Sequence, residues 1–351
     1  MRLFAAVAKF TFLLLGCATL AVSAAALYLF LSRTEGPLQL WHTETLTAEF
    51  TADQADNVRS LEDYRRLEDR LFAQLEEEIY ARTGTGPAYA LVRYSSGSAA
   101  DPKRRKRDWN RTFSLPAEAP VGGVLLVHGM SDSPYSLRAL GEALNRRGYW
   151  VLGLRLPGHG TIPSGLLTAT WEDMAAAIRI GVNHLATKIG QAPIHLVGYS
   201  TGAPLALDYT LDALEGPHSP VPASLVLISP AIAVSRAAAL AKWPDRLALL
   251  PGLEPLAWTQ VLPEFDPFKY NSFTSNAGYQ VHRLTRSVQR RIEARGAPGP
   301  IAGFPPTLVF LSTVDATVSG ATTRSLCSGM PVVRASMTRS RCGTWVADQT
   351  V

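Results

Sequence analysis

From Val121 onward, short unbroken runs of apolar, β-branched residues alternate with longer stretches in which apolar positions recur every three or four residues. GGVLLVHG (122–129) precedes a helical pattern from Leu137 to Arg147, YWVLGLRL (149–156) precedes one from Trp171 to about Ile189, and IHLVGYS (194–200) precedes one through Leu211. ASLVLISP (223–230) and PTLVFLST (306–313) complete the series. Strands buried on both faces read as continuous apolar runs, and helices between them are the crossovers that a parallel sheet requires. The pattern predicts an α/β domain with a parallel sheet covered on both sides.

Upstream the pattern changes. Ser60 and Asp63 have capping-box spacing, and Leu61, Tyr64, Leu67, Leu71, Leu75 and Ile79 predict a helix with one apolar stripe. The stripe is expected to lie on the chain's own domain, a stalk or partner helix being the alternative. TGTGP (83–87) ends it, and residues 88–94 (AYALVRY) and 111–115 are expected as short strands flanking a basic loop. No charged residue occurs from Phe10 to Ser32, a run about as long as the roughly 20 residues a helix needs to cross a hydrocarbon core. This predicts a transmembrane signal anchor within residues 1–32. A cleaved signal peptide, with small residues at Ala21–Ala26, is the first alternative, and a lipoprotein cleavage box at Leu14–Cys17 the second. Arg2, Lys9 and the amino terminus precede the run, so the rest of the chain is expected on the non-cytoplasmic side, the periplasm in a bacterium.

Composition narrows the field. With 47% hydrophobic and 18% charged residues among 351, the chain is neither a disordered segment nor a rod, and a globular core is expected. The net charge is +5 and the only dense basic run is Lys103–Arg107 (KRRKR), so no nucleic-acid partner is expected and the run reads as a solvated loop. Cysteines at 17, 327 and 342 suggest neither a disulfide framework nor a zinc site.

The chemistry concentrates where Gly198, Tyr199, Ser200, Thr201 and Gly202 spell Gly-x-Ser-x-Gly between a predicted strand and a predicted helix. So tight a turn leaves no room for side chains at its flanking glycines, and it presents Ser200 at the strand end over the amino end of the helix. An ordinary turn with a serine cap is the alternative. His128, Gly129 and Met130 end the strand at 122–129. Acyl transfer needs two backbone N–H groups aimed at the developing oxyanion, one just after the nucleophile and one from a loop after an earlier strand. Thr201 and Met130 occupy those positions.

On these residues the sequence resembles the α/β-hydrolase family, particularly its lidded serine ester hydrolases such as monoacylglycerol lipases and lysophospholipase-like enzymes. The resemblance runs from about Val121 to Thr317 and rests on VLLVHGMSDSPYSLRALGEAL, LRLPGHG (154–160), GYSTG and LSTVDATVS (311–319). It implies an α/β-hydrolase fold: a mostly parallel, doubly wound sheet in a core at 121–319, with a helical lid at about 231–300, after an N-terminal helix and first strands at 33–120. It implies Ser200 as nucleophile, Asp315 in Ser312–Val318 as the acid that orients the base, Met130 and Thr201 as oxyanion donors, and His128 and His159 as scaffold residues. No metal or organic cofactor is implied. The expected substrate is a lipid-like carboxylic ester cleaved through an acyl-serine. Extra helices packed on the sheet are the alternative to a lid. A peptidase or amide hydrolase, or a non-catalytic anchored binding protein, are the alternatives to an ester hydrolase.

The chain departs from the family pattern at its end. A histidine should follow Asp315, yet all seven histidines (42, 128, 159, 184, 195, 218 and 282) precede it. Without an imidazole to take its proton a serine hydroxyl is a weak nucleophile near neutral pH. His282, in the lid-like stretch, is the substitute base the chain offers. Residues 320–351 hold two of the three cysteines, nine Ser or Thr and one acidic residue, with MPVVRAS the one short strand pattern. They read as a shifted reading frame or truncation beginning near Ser319 or Gly320, with a genuine divergent tail as the alternative. Loss of the last strand would leave 306–313 as an open sheet edge.

Overall fold

The computed structural model describes residues 2–31, 36–216, 219–231, 248, 250, 252–295, 301–312, 332–339 and 345–350. Helix α1 (Arg2–Leu31) forms where the uncharged run lies, and Phe10, Phe12, Leu13 and Leu20 on it are exposed. Among the described residues, however, no helix is long and apolar enough to cross a membrane. The expected transmembrane span is therefore not supported.

A short α2 (Leu40–Thr43) precedes α3 (Leu61–Leu75). Ser60 starts α3 as read from the sequence: its hydroxyl accepts from Asp63 N–H at 3.1 Å, and the Asp63 carboxylate accepts from Ser60 N–H at 3.2 Å. The apolar stripe lies on the chain's own domain. Leu61, Tyr64 and Leu67 enter the main core, while Phe72, Leu75 and Ile79 pack with Trp41 and Tyr94.

Strands β1 (Phe113–Leu115) and β2 (Gly122–Val127) are followed by α4 (Arg138–Asn145), β3 (Tyr149–Leu154), α5 (Gly165–Thr168), α6 (Trp171–Ile189), β4 (Ile194–Tyr199), α7 (Gly202–Glu215) and β5 (Ser224–Ile228). Then come the small pair β6 (Trp258–Gln260) and β7 (Phe273–Thr274), α8 (Ser275–Ala294), β8 (Thr307–Ser312), β9 (Val332–Arg339) and β10 (Trp345–Thr350). The main sheet runs β1-β3-β2-β4-β5-β8-β9-β10, antiparallel at its two outer pairs and parallel between them. Alternate residues of β2 serve opposite faces. Leu125 and Val127 join the core with α6 and α7, whereas Val124 and Leu126 pack with Phe113 and Leu137 beneath α4. Two covered faces account for the unbroken apolar run, since no position on such a strand meets water.

Two expectations change. Residues 88–94 form no strand: Pro87 starts a short 3-10 turn, the Arg93 N–H bonds the Glu264 carbonyl, and Ala90 to Leu91 are exposed. Their backbone groups are satisfied by loops, so no ladder forms. Strand β8 is not an edge, because β9 pairs with it in parallel from Thr307↔Val332 to Ser312↔Met337. The described part of the expected lid contains β6, β7 and α8, of which α8 packs on the helical layer: Leu284 and Val288 are buried in the main core and Arg291 bonds Asp208 on α7 at 2.8 Å. Residues 232–247, within that segment, lie outside the described residues.

Candidate active site

The parallel strands β2, β4, β5 and β8 point their carboxyl ends the same way, and Gly129, Met130, Ser200 and Thr201 lie just beyond the ends of β2 and β4 there. Gly198 and Gly202 are forced by contact. A β-carbon on Gly198 would collide with the Gly202 carbonyl, and one on Gly202 would collide with the Val127 and His128 carbonyls. Helix α7 can therefore start against β2 only if both positions lack a side chain. Ser200 sits at φ +52° and is held by its own N–H to the Ile228 carbonyl (2.9 Å) and by Ala231 N–H to its carbonyl (3.1 Å). Ser131 and Ser229 are the other non-glycine residues at positive φ among the described residues, at +63° and +42°. The left-handed backbone costs an ordinary residue on the order of 1–2 kcal/mol. All three costs fall just beyond the ends of β2, β4 and β5.

The loop after β2 closes on the serine. A β-carbon on Gly129 would stand 3.0 Å from Ser200 Cβ and 3.1 Å from Asp132 Oδ2, so the loop backbone passes directly beside Ser200. Thr201, buried, occupies the N-cap position of α7, and no hydrogen bond engages its N–H or that of Met130 among the described residues. The Met130 side chain packs with Leu166, Phe273 and Ala277 in a small apolar cluster. Asp132 was visible within HGMSDSP but went unremarked in the sequence. It is 8% exposed, its carboxyl is pushed up to about 6 by burial, and Lys269 Nζ stands 3.9 Å away.

His128 and His159 behave as scaffold. The His128 Nδ1–H donates to the Gly129 carbonyl at 2.9 Å, and its Nε2 accepts from Leu156 N–H at 3.1 Å, so both nitrogens are used and the tautomer is set. Burial, with His159 beside it, holds its pKa well below the usual imidazole value. His159 Nδ1–H donates to the Pro157 carbonyl, and burial lowers its pKa to about 4. Arg155, 1% exposed, fixes the LPGHG loop by donating to Glu49 and Glu68 (2.9 Å each) and to the His159 carbonyl (3.0 Å). Burial alone would raise the Glu49 carboxyl, yet the Arg155 charge and hydrogen bonds hold it below the ordinary carboxylate value.

Asp315 lies outside the described residues. Strand β8 ends at Ser312, beside β5 and at the same sheet end as Ser200. His282 is on α8, half-buried, its pKa lowered by burial and by Arg286. The same helix reaches the serine loop through Thr285, whose hydroxyl donates to the Ala231 carbonyl at 3.1 Å. No hydrogen bond joins His282 to Ser200. Among the described residues, no group of acidic, histidine and cysteine side chains is placed to hold a metal.

The model of the alpha/beta hydrolase family matches residues 124–346. A thermostable monoacylglycerol lipase of Bacillus sp. (strain H-257) is 38% identical over 91 residues, which are 26% of this chain and 36% of that enzyme. The matched chain thus spans about a third of that relative's length. A solved structure from the description of LipS and LipT, two metagenome-derived lipolytic enzymes, superposes with a TM-score of 0.50 at 22% identity, covering 65% of this chain and 86% of that one. At that identity the likeness is one of fold. A family match over well more than half of the chain, on a sheet of the same kind, makes this protein a member of the alpha/beta hydrolase family.

Proposed function

We propose that the protein is a serine hydrolase of carboxylic esters with a lipid-like acyl part. The observation that carries the reading is Ser200 at positive φ between two sterically required glycines, with the Gly129–Met130 backbone beside it. In this reading Ser200 Oγ attacks the ester carbonyl carbon while a base takes its proton and hands it to the departing alcohol oxygen. The carbonyl oxygen takes the charge against the Met130 and Thr201 N–H groups, which make no hydrogen bond among the described residues and, at Thr201, gain from the amino end of α7. Loss of the alcohol leaves an acyl-serine that water hydrolyses. The acyl chain lies against the cluster that Met130 shares with Leu166 and Phe273. Asp315 is the acid that orients a base. The monoacylglycerol lipase likeness supports this substrate class.

A second reading has an observation of its own. No histidine follows Asp315, and in a serine protease loss of the base costs on the order of 10⁶ in kcat. A non-catalytic binding protein on the hydrolase fold accommodates that fact without a substitute base. A fluorophosphonate probe separates the two: the ester hydrolase reading expects covalent labelling that disappears in Ser200→Ala, together with ester cleavage above that variant. An unlabelled Ser200 and no cleavage of any ester would sink it. Cleavage of amides in preference to matched esters would move the protein to the peptidase reading.

We also propose that α1 anchors the chain in a membrane with the hydrolase domain on the non-cytoplasmic side. Support comes from the uncharged run at 10–32 and the exposed Phe10, Phe12 and Leu20. Release of the full chain from membranes by an alkaline carbonate wash would count against it.

A further inference from the structure

The basic run at 103–107 divides in two. Lys103 pairs with Glu76 at 2.9 Å and lies over the Tyr80 ring, and Arg104 donates to the Ser98 carbonyl. Arg105, Lys106 and Arg107 instead line a cleft of about 670 Å³, to which α4 adds Arg138. None of these four cations makes an ion pair among the described residues, and Glu142 is the acidic residue on the lining.

The cleft is built, not merely charged. Tyr135 and Phe268 stack with ring centroids 3.8 Å apart and planes 12° from parallel. The Arg138 guanidinium lies 3.6 Å from the Tyr135 centroid and donates to the Tyr135 carbonyl, while that of Arg107 lies 5.0 Å from the Trp109 centroid. Each guanidinium carries five N–H donors in a fixed fork, so rings that hold one leave donors facing outward. A solvated loop accounts for three exposed basic side chains. It does not account for a fourth from another element or for the stacked rings beneath them. Unneutralised like charges repel, and an arrangement that gathers them is suited to an anion with several acceptor oxygens.

The cleft is linked to the serine site through the chain. Tyr135 lies in the turn Pro134–Leu137 that directly follows the loop bearing Gly129 and Met130. Phe268 is two residues before Tyr270, whose N–H donates to the Ser131 carbonyl at 2.8 Å. Both rings of the stack are thus tied to that loop.

We propose that this cleft binds the phosphate of an organic phosphate ester, probed as glycerol phosphate, with Arg105, Lys106, Arg107 and Arg138 facing the phosphate oxygens and the Tyr135–Phe268 stack holding Arg138 in place. That this group is the head of the ester substrate rests on the ester-hydrolase reading; binding of the phosphate does not.

The full chain in neutral detergent micelles is titrated with glycerol 3-phosphate while tryptophan emission is followed, with Trp109→Phe giving the background from the other tryptophans. In parallel, it is floated with phosphatidylcholine vesicles that contain or lack phosphatidylglycerol. The triple variant Arg105→Gln/Lys106→Gln/Arg107→Gln is compared with Arg146→Gln/Arg147→Gln/Lys188→Gln, which removes as much charge from exposed positions outside the cleft. Loss of charged hydrogen bonds predicts that the cleft triple weakens glycerol 3-phosphate binding about tenfold or more, and that the control leaves it within about twofold. Arg138→Gln, on a different element, weakens it as well. Soluble binding lost in the cleft triple identifies a free glycerophosphate as sufficient. Phosphatidylglycerol-dependent flotation lost in that triple, without soluble binding, places the phosphate on a lipid surface. Equal losses in both triples, or no binding of either probe by the parent, overturn the proposal. Neither readout uses turnover, so an inert Ser200 leaves the test intact.

Discussion

Burial raises the Asp132 carboxyl to about 6, with Lys269 drawing it down and Asp266 pushing it up in smaller measure. An acid whose pKa is higher folded than unfolded favours the fold below its unfolded value of 3.8, and that contribution is lost as pH rises through about 6. At neutral pH an ionised Asp132 therefore opposes folding by up to roughly 3 kcal/mol, its side chain being 11% exposed. Asp132→Asn should raise the thermal midpoint at pH 7 and give no gain below pH ~4. Equal gains at both pH values would show that packing, not charge, was responsible. This effect was hidden in the sequence although the residue was in plain sight, because the burial comes from the 266–270 segment folding over the loop. The Gly-x-Ser-x-Gly turn was legible for the opposite reason: its glycines answer to backbone contacts within a few residues and to the neighbouring strand end.

Helix α8 carries the main uncertainty left by the sequence, since an amphipathic stretch suits a lid and a packed helix equally. The structure buries Leu284 and Val288 with α6 and α7, and the Arg283 and Arg291 side chains reach Glu172 and Asp208. Leu284→Ala should lower global stability by about 2–5 kcal/mol, read as a single shifted denaturant midpoint. A change confined to local hydrogen exchange in 275–294 would instead mark a detachable element. Alternating strands and helices were readable because each strand is covered on both faces. The failure at 88–94 has an equally local cause: Arg93 spends its N–H on Glu264, a partner 171 residues away that no pattern along the chain announces.

At the scale of the whole molecule, a buried cation ties the N-terminal segment to the sheet. Arg155 draws Glu68 of α3 and Glu49 into contact from 87 and 106 residues away, and the Glu49 carboxylate also accepts from Gly158 N–H at 2.8 Å. The described segment at 36–120 is thereby tied to the core and is not an appendage. A chain beginning at residue 36 should fold with unchanged cooperativity. One beginning at residue 81 would lose both carboxylate partners of Arg155 and bare the core surface that Phe50, Leu61, Tyr64 and Leu67 cover, and should fail to give a soluble domain. Recovery of a cooperative, soluble product from the shorter chain would refute this. His128 has a consequence at the same scale. Its Nδ1 proton is capped by Gly129, its Nε2 is occupied by Leu156, and the ring is fully buried, so water can reach that proton only when the loops beside Ser200 part. The lifetime of a single imidazole resonance is thus a clock for how often this pocket opens to solvent, independent of any substrate.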